Sequence, residues 1–84
     1  MEKSDTRVAV ISIIVENPDC VSQINEILHS AADKIIGRMG IPYKEKNISI
    51  ISIVIDAELD AISTVSGKLG RLSGVTVKTA YSKK

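Results

Sequence analysis

Apolar positions along the chain follow two spacings, and the switches between them predict the order of elements. Val8 to Val15 is a run rich in Val and Ile that ends at Glu16-Asn17-Pro18, which reads as a strand. A helix follows. Asn17 suits an N-cap, Pro18 the first helical position and Asp19 the first turn. Val21, Ile24, Leu28 and Ala31 recur at helical spacing with Ile27 beside them, and the pattern runs out near Ala32-Asp33. Lys34 to Pro42 predicts a second strand with Ile35, Met39 and Ile41 on one face and a bulge or bend at Gly37 and Gly40. Tyr43 to Asn47 is a charged turn, and Ile48 to Ile55 is the strongest strand pattern in the chain. Asp56 is expected to cap a second helix with Glu58 in its first turn, burying Leu59, Ile62, Val65, Leu69 and Leu72 along one face. Gly74 stands where a helix C-terminal glycine belongs, and Val75 to Tyr81 is the last strand.

The order strand–helix–strand–strand–helix–strand predicts an α+β, ferredoxin-like βαββαβ fold, with a four-stranded antiparallel sheet and two helices on one face. An internal echo supports it: Ile11-Ser12-Ile13-Ile14-Val15-Glu16 is matched by Ile51-Ser52-Ile53-Val54-Ile55-Asp56. Both echoed strands are apolar on both faces. Val8, Val10 and Ile14 point away from Ala9, Ile11, Ile13 and Val15, and Ile48, Ile50 and Val54 away from Ile51, Ile53 and Ile55. Two helices cover only one such face. A large uncovered apolar patch is rare on a monomer. A second copy, pairing face to face or edge to edge, is therefore expected, giving a homodimer or homotetramer.

Composition sharpens this picture. A chain of 84 residues holds one domain, 1–84, with residues 1–7 and 82–84 expected as flexible ends. A domain of this size buries only roughly 60–65% of its unfolded surface, so association is a plausible source of added stability. Aromatics are 2% of the chain, both tyrosine, which leaves Ile, Val, Leu and Ala to build the core. Net charge is +1, giving no overall field for nucleic acid or an anionic membrane. Lys34, Arg38, Lys44 and Lys46 cluster near the second strand and Lys78, Lys83 and Lys84 follow the last one, as solvated faces; no direct nucleic-acid binding is expected. One cysteine excludes an internal disulfide, the N-terminal residues lack the apolar stretch of a signal peptide, and the apolar runs are too short to span a bilayer. The expected location is cytoplasmic, with no membrane association.

Candidate chemistry is sparse. Nucleophilic catalysis needs a nucleophile, a base and an orienting group. Cys20 and His29 both fall on the first predicted helix, half a turn out of phase at roughly 100° per residue, so they form neither a dyad nor a metal pair. The acids Glu16, Asp19, Asp56 and Glu58 sit where helix N-termini want them. The chain reads as a non-enzyme with no catalytic residues and no cofactor. His29 and Asp33, at i and i+4, are weak metal candidates that share a helix face. Ser66-Gly67-Lys68-Leu69-Gly70 lacks phosphate-loop spacing and lies inside a helix, where each glycine costs about 1 kcal/mol against alanine. Close approach of a backbone, from the first helix or another subunit, is the expected compensation.

With Asn17-Pro18-Asp19 opening the first helix, this element order resembles the ACT family of regulatory modules. The resemblance implies an oligomer that binds a small effector near the first strand–helix loop, here Asn17, Pro18, Asp19 and Cys20. Leu28-His29, Gly40-Ile41-Pro42 and above all the stretch from Leu59 to Thr79, with Ser66-Gly67-Lys68-Leu69-Gly70-Arg71-Leu72-Ser73-Gly74-Val75, are similar to the iron-only hydrogenase system regulator family. That likeness runs from about Val8 to Thr79. It implies a stand-alone ACT-like domain, related in fold to the C-terminal domain of nickel-responsive regulators, acting as a transcriptional regulator that senses a small ligand or docks onto a protein partner. A purely structural interaction module with no small ligand is the alternative. Asp19 stands where many effector-binding ACT domains carry glycine, and the histidine cluster of nickel regulators is missing; both differences count against those particular ligands.

Overall fold

The strand β1, Arg7–Val15, lies inside the sheet of the computed structural model, which describes residues 5–83. A 3-10 turn at Pro18–Cys20 leads into α1, Val21–Ser30, and a second at Ala32–Lys34 leads into β2, Ile35–Tyr43. A third, Lys44–Lys46, precedes β3, Ile48–Ala57; α2, Leu59–Gly70, and β4, Val75–Tyr81, complete the chain. The sheet is four-stranded in the order β2-β3-β1-β4, with each neighbouring pair antiparallel. This is the split βαβ arrangement expected from the pattern, and both helices pack on one face.

The core is almost wholly aliphatic. Ala9, Ile11, Ile13 and Val15 of β1 and Ile51, Ile53, Ile55 and Ala57 of β3 meet Ile24 and Leu28 of α1 and Ile62, Val65 and Leu69 of α2. Burying each such side chain contributes about 1.5–3 kcal/mol. The sequence echo has a direct structural expression. β1 and β3 pair so that Ser12 faces Ser52, Ile11 faces Ile53 and Ile13 faces Ile51. The isoleucines fall on the helix side and the serines on the other.

The structure departs from the pattern in several places. Ile35 does not share a face with Met39 and Ile41. The β2–β3 register shifts between Ile35 and Gly37, so Ile36 is an extra residue and is 63% exposed. One inserted residue inverts the alternation: Ile35 faces the helices opposite Ile55, while Met39 and Ile41 face away, opposite Ser52 and Ile50. Asn17 caps the 3-10 turn rather than α1 itself, and α1 stops at Ser30, short of Ala32-Asp33. Asp56 is no cap. It remains in β3 opposite Val8, and Glu58 occupies the N-cap position of α2 without a side-chain bond. Leu59 is correspondingly exposed and Leu72 lies beyond the helix end, only partly buried. Gly74, expected at the helix terminus, instead turns the chain into β4 with φ +76°.

Two expectations about the ends also change. Arg7 is part of β1, paired with Ala57, and the Ser82 N–H donates to the Val8 carbonyl at 2.8 Å, so both hold to the sheet. Residues 1–4 and 84 lie outside the described residues. The first helix does not approach the glycines of α2. A Cβ built on Gly67 or Gly70 meets nothing within 4 Å, so the intrachain half of that expectation fails.

Candidate functional site

Three regions carry candidate chemistry: the uncovered sheet face, the first strand–helix loop, and the cleft between α1 and β2.

The uncovered face is a continuous apolar field. Val8, Val10 and Ile14 of β1 lie beside Ile50 and the half-buried Ile48 and Val54 of β3, and β2 adds Met39, Ile41 and Tyr43. The register places Ile41, Ile50 and Ile14 in one row across three strands. The Ser12–Ser52 pair makes a shallow centre, because its side chains are smaller than the flanking Val10–Val54 and Ile14–Ile50 pairs. Thr76, Lys78 and Ala80 of β4 and Asp56 of β3 form a more polar margin. Tyr43 keeps its phenol protonated to higher pH than the usual 10.0, through a hydrogen bond to the Glu45 side chain and, less, through desolvation.

In the loop, the four residues expected at a ligand site are occupied with one another. The Asn17 Oδ1 accepts from the Asp19 N–H at 3.1 Å, and its Nδ2 donates to the Cys20 Sγ at 3.6 Å. The Cys20 thiol is buried and donates to the Ser73 carbonyl at 3.2 Å. Pro18 opens the 3-10 turn. Beside the loop lies a hollow of about 80 Å³ between Pro18 and the Pro42–Ser49 segment. The sequence thus brings Asn17, Pro18, Asp19 and Cys20 together; the Asn17 amide and the Cys20 thiol bond within the junction, while Pro18 and the Asp19 side chain are exposed.

The larger space lies elsewhere. A cleft of about 570 Å³ opens between α1 and the edge strand β2, lined by Asn25, Glu26, Leu28, His29, Ala32, Ile35 and Arg38. Leu28 is buried at its floor and Ile35 is half-buried. The Arg38 Nη2 donates to the Asn25 Oδ1 at 3.0 Å. In the sequence alone Arg38 belongs to a solvated basic face. Only the bulge at Ile36 reveals that it lies on the helix side, opposite Ile53. His29 lines this cleft but Asp33 does not share its helix: α1 ends between them, and Asp33 meets Lys34 at 3.5 Å. No group of three or more metal-capable side chains occurs among the described residues.

Comparison with known proteins follows the fold closely. Residues 7–79 match the TM1266-like family, "Iron-only hydrogenase system regulator, putative". The structure of uncharacterized protein TM1266 from Thermotoga maritima superposes with a TM-score of 0.90 at 39% identity, covering 94% of this chain and 100% of that one. The C-terminal domain of the MgtC protein from Mycobacterium tuberculosis gives a TM-score of 0.68 at 12% identity, covering 99% of this chain and 95% of that one. CPII, a nitrogen regulatory PII-like protein from Thiomonas intermedia K12 bound to ADP, AMP and bicarbonate, gives 0.53 at 14% identity, covering 95% and 96%. These last two share the fold alone. No curated protein matches the chain. No helix among the described residues is long and apolar enough to cross a membrane.

Proposed function

Since the chain belongs to the TM1266-like family of iron-only hydrogenase system regulators, we propose that it is a non-catalytic, ACT-like regulatory domain that works as a homo-oligomer joined through its uncovered sheet face. The observation that carries this reading is the apolar field of Val8, Val10, Ile14, Met39, Ile41, Tyr43 and Ile50, each between 37% and 56% exposed in the single chain. Monomers rarely leave so continuous an apolar surface wet. A two-fold axis would lay the same patch against itself, and a closed symmetric pair of this kind is the commonest solution among soluble oligomers. The polar margin at Lys78 and Asp56 fits the rim of such an interface.

The regulatory role comes from the family, and its connection to hydrogenase expression or maturation is part of the same proposal. The oligomer senses a small molecule and passes the result to a partner protein. No element among the described residues is a recognition helix for DNA, so transcription is reached through that partner. The cytoplasm is the proposed location.

Methyl-resolved NMR with a soluble paramagnetic agent tests the interface. The Val10, Ile14 and Ile50 methyls are expected to be shielded in the purified chain. Full exposure of those methyls at every concentration would overturn the oligomer, and shielding that appears only with an added protein would favour the purely structural docking module.

A further inference from the structure

We propose that the α1–β2 cleft is a binding site for a small organic monocarboxylate with a short apolar chain. The carboxylate is held by Arg38, and the chain lies over Leu28, Ala32 and Ile35. The inference deepens the sensing role above by giving it a site and a ligand class, and it rests on that reading.

The cleft exists for a reason visible in the strand. Beyond the bulge at Ile36, the positions of β2 that face the helices are Arg38 and Gly40, set opposite Ile53 and Ile51. An ordinary core strand would place bulky aliphatic side chains there. A Cβ added at Gly40 meets nothing within 4 Å, so the strand leaves open space at that position too, beyond the residues that line the cleft. The result is a cleft of about 570 Å³, within the usual range of roughly 300–1,000 Å³ for small-molecule sites.

Its lining divides by chemistry. Leu28, Ala32 and Ile35 supply apolar lining, while Asn25, Glu26, His29 and Arg38 supply polar groups. Arg38 is the informative one. Its guanidinium meets a neutral partner, the Asn25 side-chain oxygen at 3.0 Å, and pairs with no carboxylate among the described residues. A guanidinium fork matches a carboxylate with two parallel hydrogen bonds, which is stronger than a single bond to an amide. A ligand carboxylate gains that pairing, and the Asn25 amide can rotate to donate to it.

The charge of the ligand is bounded from the other side. Glu26 also lines the cleft, which lies along the C-terminal half of α1, whose pole carries partial negative charge. Both disfavour a doubly charged anion, so phosphate and dicarboxylates fit less well than a single carboxylate. The apolar floor adds a chain-length preference, because each methylene removed from water strengthens binding.

Hexanoate, acetate and hexylammonium are the probes, titrated into the full chain and followed by amide and side-chain NMR shifts. Hexanoate is expected to shift Asn25, His29, Ala32, Ile35 and Arg38 together. Acetate is expected to bind at least about tenfold more weakly, and hexylammonium not at these positions. Arg38→Gln, an exposed position whose change leaves the fold intact, is expected to weaken hexanoate at least about tenfold, with Arg38→Lys intermediate. Absent or scattered shifts, equal binding of hexylammonium, or unchanged affinity in Arg38→Gln would each overturn the proposal. Light scattering on the same samples separates the two ideas: a failed titration on an intact oligomer removes the ligand site alone, whereas a monomer that still binds hexanoate removes the interface alone.

Discussion

Gly74 and Asn17 meet so closely that no side chain fits between them: a Cβ built on Gly74 would stand 2.7 Å from the Asn17 Cβ. Gly74 also holds φ at +76°, and its carbonyl accepts from the Glu16 N–H at 2.7 Å. This contact ties the entry to β4 onto the loop that starts α1. Gly74→Ala meets both the left-handed backbone cost of about 1–2 kcal/mol and an overpacking cost of similar size. Its urea midpoint is expected to fall by the equivalent of at least about 2 kcal/mol. Asn17→Gly in the same background should return the steric part and leave the backbone part, a coupling that a double-mutant cycle reads directly.

The same junction sets the behaviour of Cys20. Its thiol is buried, donates to the Ser73 carbonyl and receives the Asn17 amide. Cys20→Ala is expected to lower stability by about 1 kcal/mol. Alkylation of the native protein by iodoacetamide is expected to be slow and to accelerate in step with urea unfolding. Rapid alkylation of the native chain would mean that the loop is open in solution.

Gly67 distinguishes two ways of assembling the chain. Nothing lies within 4 Å of a Cβ placed there. Gly67→Ala is expected to stabilise α2 by up to about 1 kcal/mol and to leave the oligomer unchanged, because the proposed interface is the opposite sheet face. Stabilised monomers that associate less well would move the interface to the groove between α2 and β4.

Much of the fold is legible in the sequence because the two periodicities rarely compete. The alternation in Val8–Val15 and Ile48–Ile55 gives the buried and uncovered faces of β1 and β3 correctly, residue by residue. It fails in β2, where one extra residue at Ile36 reverses every later position, and nothing local says whether Gly37 or Gly40 marks the bulge. That failure also hid the cleft, since Arg38 looks like any surface cation until its face is known. The position of Asp56 is ambiguous for a related reason. A capping residue and a strand-end acid look the same in sequence, and here β3 runs on to Ala57 because Val8 and Arg7 offer partners for Asp56 and Ala57. The loop residues Asn17–Cys20 bond to one another locally, but the acceptor of the Cys20 thiol, the Ser73 carbonyl, lies far along the chain.

Sedimentation equilibrium of the full chain beside Ile14→Lys tests the central claim most directly. Ile14 lies on the uncovered face, opposite Ile50 on one side and Thr76 on the other. A lysine there has ample room in a single chain and would be buried without a partner in a face-to-face pair, at a cost of several kcal/mol. The account predicts a wild-type mass that is a multiple of 9.0 kDa and a variant near 9.0 kDa with the same far-ultraviolet circular dichroism. A wild-type chain at 9.0 kDa throughout, or a variant that assembles as well as the wild type, would contradict it.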